Sequence, residues 1–189
     1  PDEKPYFAAS AWEHARHRVV WLLILMLSAA ITGSIITRYE DAISAVPLLV
    51  AFLPMLMDTG GNCGSQSSTL IIRGIALNQV TFHDFFRVIW KEFRVSLIVG
   101  VVLAVANGLR IYLTYQQAGM AVVIALSLVA TVISAKLLGC ILPMCAKKIG
   151  LDPVERASAF YSNAGNLLIP LVVLVVICAV PLIKLICMT

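Results

Sequence analysis

The chain is predicted to be all-α, a polytopic bundle of five membrane-spanning helices, on three observations. Hydrophobic residues fill 60% of its 189 positions and charged residues only 13%, where a soluble domain carries about 25% charge. Its mean hydropathy is +0.94, and the apolar residues gather into five runs close to the roughly 20 residues that a helix needs to cross hydrocarbon. Two of those runs, the second and the fifth, also carry polar side chains at helical spacing. Polar groups at membrane depth are costly unless they face partners or water.

The first span is expected from Val19 to Thr37, after a polar segment holding Trp12, His14, Arg16, His17 and Arg18, and it stops at Arg38-Tyr39-Glu40-Asp41. No small-residue cleavage site follows it before Arg38, so it reads as a retained span and not as a signal peptide. The chain opens at Pro1, and it is expected to be a membrane domain taken from a longer protein. Residues 1–18 form a cytoplasmic connecting helix in this reading, and residues 19–189 the five-helix transmembrane domain, with an upstream regulatory region absent from this chain. The second span runs from about Ile43 to Ile72 and ends at Arg73, the third from Val95 to Leu113, and the fourth from Met120 to Met144. The fifth starts near Asp152-Pro153, an acceptor followed by a proline suited to the first turn, and ends near Met188. Between the second and third spans, Phe82, Phe85, Phe86, Ile89 and Trp90 recur at helical spacing among His83, Asp84, Arg87 and Lys91. The segment from Gly74 to Glu92 is therefore expected to hold an amphipathic helix lying on the inner membrane surface.

Charge sets the orientation. The basic residues concentrate in the amino-terminal segment, between Arg73 and Arg94, and between Lys147 and Arg156, whereas the loops near Arg38 and Arg110 hold few. The amino end is thus expected in the cytoplasm and the carboxyl end outside, in a multi-pass protein of the cell membrane. Basic cytoplasmic loops also account for the net charge of +4, so no nucleic-acid partner is expected. Cys63, Cys140, Cys145, Cys178 and Cys187 lie in or at the ends of apolar runs without a C-x-x-C pair, which suits small apolar residues better than a zinc site or a disulfide framework. The spans contain no GxSxG, H-E-x-x-H or paired-aspartate motif, and no enzyme is expected.

At about 100° per residue, Asp58, Asn62, Ser65 and Thr69 fall within a sector of roughly 40°, with Gln66 beside them. Gly60, Gly61 and Gly64 fall toward the other side, where small residues let another helix backbone approach closely. One wet face and one tightly packed face is the pattern of a pore-lining helix. In the fifth span Ser158, Ser162 and Asn166 recur every four residues, flanked by Tyr161 and Asn163, and Pro170 should kink the helix and free backbone carbonyls. Freed carbonyls suit a water-filled cavity, although the fifth span alone is equally well read as polar glue between helices. Two spans of this character favour the lining of a path.

Asp58 is the acidic residue that these boundaries place well inside the hydrocarbon. Left alone it would cost several kcal/mol or stay protonated, so a cation or a lysine should accompany it. Lys136 is the candidate partner, and an Asp58–Lys136 ion pair is the structural alternative to a path. Otherwise Lys136 reads as snorkelling to the cytoplasmic interface and Lys184 to the outer one. Asn107 reads as helix-packing glue, the dispersed His14, His17 and His83 as interfacial, and Glu13, Glu40, Glu92 and Glu155 as solvated surface.

Several motifs together resemble the membrane domain of the MgtE family of magnesium channels, over nearly the whole chain. They are the basic-aromatic approach to the first span and the Pro-x-Leu-Met-Asp-Thr-Gly-Gly-Asn-x-Gly-Ser-Gln-Ser-Ser stretch from Pro54 to Ser68. Arg73-Gly-Ile-Ala-Leu77, Val88-Ile-Trp-Lys-Glu92, Lys136-Leu-Leu-Gly-Cys-Ile-Leu-Pro143 and Lys147-Lys-Ile-Gly-Leu-Asp-Pro153 follow in order. The resemblance implies a homodimer whose second and fifth spans surround one central cation path, preceded by a cytoplasmic magnesium-sensing region that this chain lacks. Magnesium would be the transported ion, with manganese or another divalent cation as further candidates. The family's fifth span usually reads A-S-P-F-x-T-T-x-x-D, and its aspartate is the principal magnesium ligand. Here the frame from Ala157 ends at Asn166, and an amide cannot supply that negative charge; Asp58 can, twice in a twofold dimer. Magnesium keeps several of its waters, so a wide ring of Asp58, Asn62, Gln66, Ser158, Ser162 and Asn166 around a hydrated ion suits it. Two other classes stay open: an ion-coupled secondary transporter of another solute with Asp58 as coupling site, and a membrane assembly module whose polar groups only pack.

Overall fold

The computed structural model describes residues 10–38 and 47–148. They form four long helices, α1 (Ala11–Arg38), α2 (Pro47–Ala76), α3 (Phe85–Tyr115) and α4 (Ala118–Lys148), with a short 3₁₀ turn at Phe82–Asp84 ahead of α3. The four helices carry the first four predicted apolar runs. The predicted fifth span, from Asp152 to Met188, lies outside the described residues, as do residues 43–46 of the second. Two of the described helices are long and apolar enough to cross a membrane by length and composition, Phe82–Tyr115 and Ala118–Lys148.

The turn after α2 is built by local chemistry. Asn78 takes the left-handed conformation at φ 54°, which its short polar side chain tolerates. The Gln79 N–H then donates to the Gly74 carbonyl at 2.8 Å, and the Asn78 N–H to the Ile75 carbonyl at 3.1 Å. These two bonds satisfy carbonyls that the helix end would leave open. A Cβ at Gly74 would stand 2.9 Å from Val80 Cγ2, so a larger residue there would have to push the Val80 side chain aside. At the next element the Asp84 carboxylate accepts from the Thr81 hydroxyl at 2.7 Å and from the Thr81 N–H at 3.0 Å. The hydroxyl first, and the backbone N–H second, hold the Asp84 carboxyl below the ordinary carboxylate range.

Sequence periodicity suggested a separate surface helix before the third span. Instead, Phe85 to Tyr115 is one helix of 31 residues, about 46 Å long at 1.5 Å per residue. No glycine or proline interrupts residues 85–99, so nothing breaks the helix where the aromatic-basic turns meet the apolar run. The aromatic and basic residues therefore form the first turns of α3. Phe86 and Trp90, 81% and 62% exposed, stand one turn apart on its outside. Between α3 and α4 only Gln116 and Gln117 intervene. Gln116 is left-handed at φ 55°, and its N–H closes α3 on the Tyr112 carbonyl at 2.9 Å. So short a connection makes the two helices antiparallel neighbours.

α4 is the centre of the described bundle: half of its most apolar window is buried, against 22% for α3. Three layers of side chains join it to the others. Near the start of α4, Phe52, Leu53 and Leu56 of α2 pack with Ile111 of α3 and with Met120, Val123, Ile124 and Leu128; Ile36 of α1 packs against the same cluster. Cys63 packs with Val132 and Ala135 in the middle, and Ile71 and Ile75 pack with Cys140 and Met144 at the far end. The numbers rise together along both helices, so α2 runs parallel to α4.

The α3–α4 seam is built on small residues. Ser96, Gly100 and Ala104 are buried at four-residue spacing. A Cβ at Gly100 would lie 3.4 Å from Val129 Cα, and one at Gly108 would lie 3.5 Å from Ala125 Cβ. Between apolar helices in lipid, close packing over small residues and interhelical hydrogen bonds replace the hydrophobic driving force. Hydroxyls turn inward on their own helices in the same spirit. Ser34, Thr37, Thr69, Thr114 and Thr131 each donate to the carbonyl four residues earlier, at 2.7 to 3.0 Å.

Candidate functional site

The site is one face of α2. Asp58, Asn62, Gln66 and Thr69 are exposed and Ser65 is partly so, whereas Gly60, Cys63, Gly64, Ser67 and Ser68 are buried on the side toward α4. Gly61, expected on the packed side, is instead partly exposed at the edge of the open face. The division follows from the 3.6-residue period: side chains four and seven residues apart share a face. Small residues let α4 take the other face. A Cβ at Gly139 of α4 would run into the Gly64 carbonyl, with the Gly64 Cα at 3.2 Å, so here the two backbones touch.

On the open face the Asn62 amide donates to Asp58 Oδ2 at 3.1 Å. The amide holds one carboxylate oxygen and leaves the other free to accept from outside. Thr69 spends its proton on the Ser65 carbonyl at 2.8 Å and keeps its oxygen lone pairs for a further partner. The stripe thus offers carboxylate, amide and hydroxyl oxygens, the donor types that hard cations take. Among the described residues no group of three or more His, Cys, Asp or Glu side chains converges on one point. The other expected ligands, Ser158, Ser162 and Asn166, lie outside the described residues.

The Asp58–Lys136 pair does not form. Lys136 is buried, 4% exposed, and its Nζ donates to Ser67 Oγ at 3.2 Å and stands 3.9 Å from Glu92 Oε2. The Ser67 hydroxyl in turn donates to that same Glu92 oxygen at 2.9 Å. Lys136 therefore does not snorkel, and Glu92, 9% exposed, is not solvated surface. The two charges neutralise each other between α3 and α4 and enclose a serine of α2. Nine residues separate Asp58 from Ser67, which at about 100° per residue puts them on opposite sides of α2. The sequence carries a signal for this network. Glu92 precedes Ser96, Gly100 and Ala104 at four-residue spacing, the register of the packed seam.

Asn107 also differs from expectation. Its Oδ1 accepts from Arg110 Nε at 3.2 Å and Nη2 at 3.0 Å, within α3, and does not tie one helix to another. The link to α2 comes from Arg110 itself, whose guanidinium lies 5.8 Å from the centre of the Phe52 ring and 3.9 Å from Met55 Sδ. Asn107 Nδ2, Ser68 Oγ and Ser127 Oγ are buried with no partner among the described residues. Cys63, Cys140 and Cys145 are free thiols, the first two buried in the packed layers.

Comparison with known proteins places the sequence in a family. A family described as MgtE, divalent cation transporter, matches residues 53–176. The chain is 39% identical over 136 residues to the magnesium transporter MgtE of Thermus thermophilus, covering 72% of this chain and 30% of that protein. It is 32% identical over 162 residues to the magnesium transporter MgtE of Bacillus subtilis, covering 86% of this chain and 36% of that protein. A third relative, the magnesium transporter MgtE of Enterococcus faecalis, is 27% identical over 165 residues. The chain spans about a third of the length of these curated relatives. The matched stretch begins just before the Asp58 motif and takes in all of the network around Ser67, and the chain belongs to the MgtE family of divalent cation transporters.

Proposed function

We propose that this chain is the membrane part of a divalent cation transporter, with magnesium as the principal ion, and that the open face of α2 lines its path. Asp58 supplies the charge, Asn62 orients it, and Gln66, Ser65 and Thr69 extend the polar wall. The observation that carries this reading is the division of α2: on its packed side Ser67 is bonded to charged groups of two other helices, whereas among the described residues the Asp58 side has local partners only. Such a face in an apolar bundle needs water, an ion or another polar surface against it.

In the full assembly, five spans per copy and two copies per channel bring a second Asp58 and the fifth spans to the same axis. Ser158, Ser162 and Asn166 complete a ring wide enough for an ion that keeps part of its water shell. The amino end and the two basic loops face the cytoplasm, and the carboxyl end faces outward. The relatives named as magnesium transporters support the choice of ion. The test is flux into liposomes carrying the full-length protein, measured for magnesium, manganese, calcium and sodium in turn. Divalent uptake that disappears in Asp58→Asn is expected. Uptake of a different solute driven by a proton or sodium gradient would favour Asp58 as a coupling site instead, and unchanged divalent flux in Asp58→Asn would remove the face from the path.

A further inference from the structure

We infer that Ser67, Glu92 and Lys136 act as a rotational clamp on α2, setting the angle at which Asp58, Asn62 and Gln66 face the path. The inference rests on the reading of that face as a cation path, and its central test does not require an ion.

The middle of the packed side of α2, between the apolar layers at Phe52, Leu53 and Leu56 and at Ile71 and Ile75, is poor in features that could fix its rotation. Gly60, Cys63 and Gly64 are its buried residues in the stretch opposite the path, and the contact with Gly139 is backbone against backbone. Smooth contacts hold two helices close, but between those layers they present no bulky side-chain knob that would resist a local turn about the helix axis. Directional contacts must do that. Among the described residues, α2 makes side-chain hydrogen bonds to other helices at two places. One is Ser67, with Glu92 at 2.9 Å and Lys136 at 3.2 Å; the other is the long contact from Arg110 to Met55 Sδ, 3.9 Å, near the opposite end.

Ser67 is well placed for the task. It lies on the far side of the helix axis from Asp58, so a displacement of Ser67 swings the path face the other way. Its single hydroxyl donates to an anion and accepts from a cation, which fixes the direction of both its proton and its lone pair. The anion and cation are themselves held, since Glu92 and Lys136 neutralise each other and are nearly shut off from solvent. Charge-assisted hydrogen bonds of this kind are short, directional and stronger than neutral ones. Three helices thus meet at one oxygen atom. The consequence is specificity: the ring of oxygens seen by the ion depends on a contact that the ion never touches.

The test is the angular pattern of accessibility on α2, read on the full-length protein in liposomes. Single cysteines are placed at Asn62, inside the open sector, and at Gly61, toward its edge, in a background whose native cysteines are replaced. Each is timed against a charged thiol reagent. Ser67→Ala, which removes one oxygen, is expected to change the ratio of the two rates by about threefold or more, and Ser67→Thr, which keeps the hydroxyl, to restore it. If Ser67→Ala fails to assemble, Glu92→Gln, which keeps an acceptor but weakens the grip on Ser67, takes its place with the same expected change. An unchanged ratio overturns the clamp. So does a rise of both rates by one factor, because general loosening does not turn a helix. Magnesium-to-sodium flux ratios on the same variants should move with the accessibility ratio. If the unmodified protein carries no divalent ion, the path reading fails, while the accessibility ratio still decides the clamp.

Discussion

The two faces of α2 contain the same kinds of groups and treat them in opposite ways. Each side has a carboxylate within reach: Asp58 on the open side and Glu92, delivered by α3, on the packed side. Glu92 is met by a lysine and a serine from two other helices. Asp58 is met by an amide one turn along its own helix and by nothing from elsewhere among the described residues. The difference teaches how to read polar residues in an apolar bundle. A charge that the fold itself satisfies is part of the scaffold, whereas a charge left with only a local partner is available to whatever occupies the space beside it.

That contrast can be broken by substitution, and the largest effect on folding is expected at the satisfied charge. Lys136→Met leaves Glu92 buried without its cation, a change that typically costs about 3–5 kcal/mol. Thermal unfolding in detergent should show it, and the double variant Lys136→Met with Glu92→Leu should recover part of the loss. A single variant as stable as the parent would mean that Glu92 is not buried as described. The next largest effect belongs to the backbone contact. Gly139→Ala forces a Cβ into the Gly64 carbonyl and should lose about 1–3 kcal/mol, as overpacking does. Gly108→Ala meets ordinary contacts of 3.5 and 3.7 Å and should be tolerated, so equal losses at both sites would refute the close approach at Gly64.

A smaller effect is expected away from both faces, at the turn before α3. The folded-state carboxyl of Asp84 is held below its ordinary value. Its contribution is therefore present above the ordinary carboxylate range and is lost as pH falls through the depressed folded value. Thr81→Ala removes the hydroxyl that does most of the holding. The variant should be slightly less stable than the parent at neutral pH, and the gap in melting temperature should close under acid conditions. A gap that widens on acidification would reverse the assignment. The least effect on folding is expected at Asp58. Asp58→Asn keeps the shape and touches no contact between the described helices, so stability should stay within about 0.5 kcal/mol while divalent flux is abolished. A large loss of stability there would move Asp58 from the path into the scaffold.

Much of this was legible in residue order. The apolar runs are continuous stretches, so the four described helices lie where hydropathy places them. The division of α2 into a glycine face and an Asp58–Asn62–Gln66 face needs only the helical period, because residues on one helix are related by a fixed rotation. Family membership was legible for a related reason: the motif from Pro54 to Ser68 is contiguous. The separate surface helix expected within Gly74–Glu92 is not formed, because periodicity reports a face and not an end. With no glycine or proline before Gly100, the helix simply continues.

Sequence alone therefore determined the helical class, the positions of the runs and the two faces of α2, all of which depend on neighbours within a few turns. Tertiary structure decided the partners. Residue order offered Lys136 to Asp58, the acidic residue that the spans appeared to bury, and left Glu92 to the solvent. The fold instead gives Lys136 to Glu92 and Ser67, 44 and 69 positions away in the chain. Which charge meets which is set by how α2 and α3 pack on α4, and by the cost of leaving any buried charge unpaired. That energy depends on distance in space: the four-residue spacing from Glu92 to Ala104 marks a buried face of α3, but it does not name the partner.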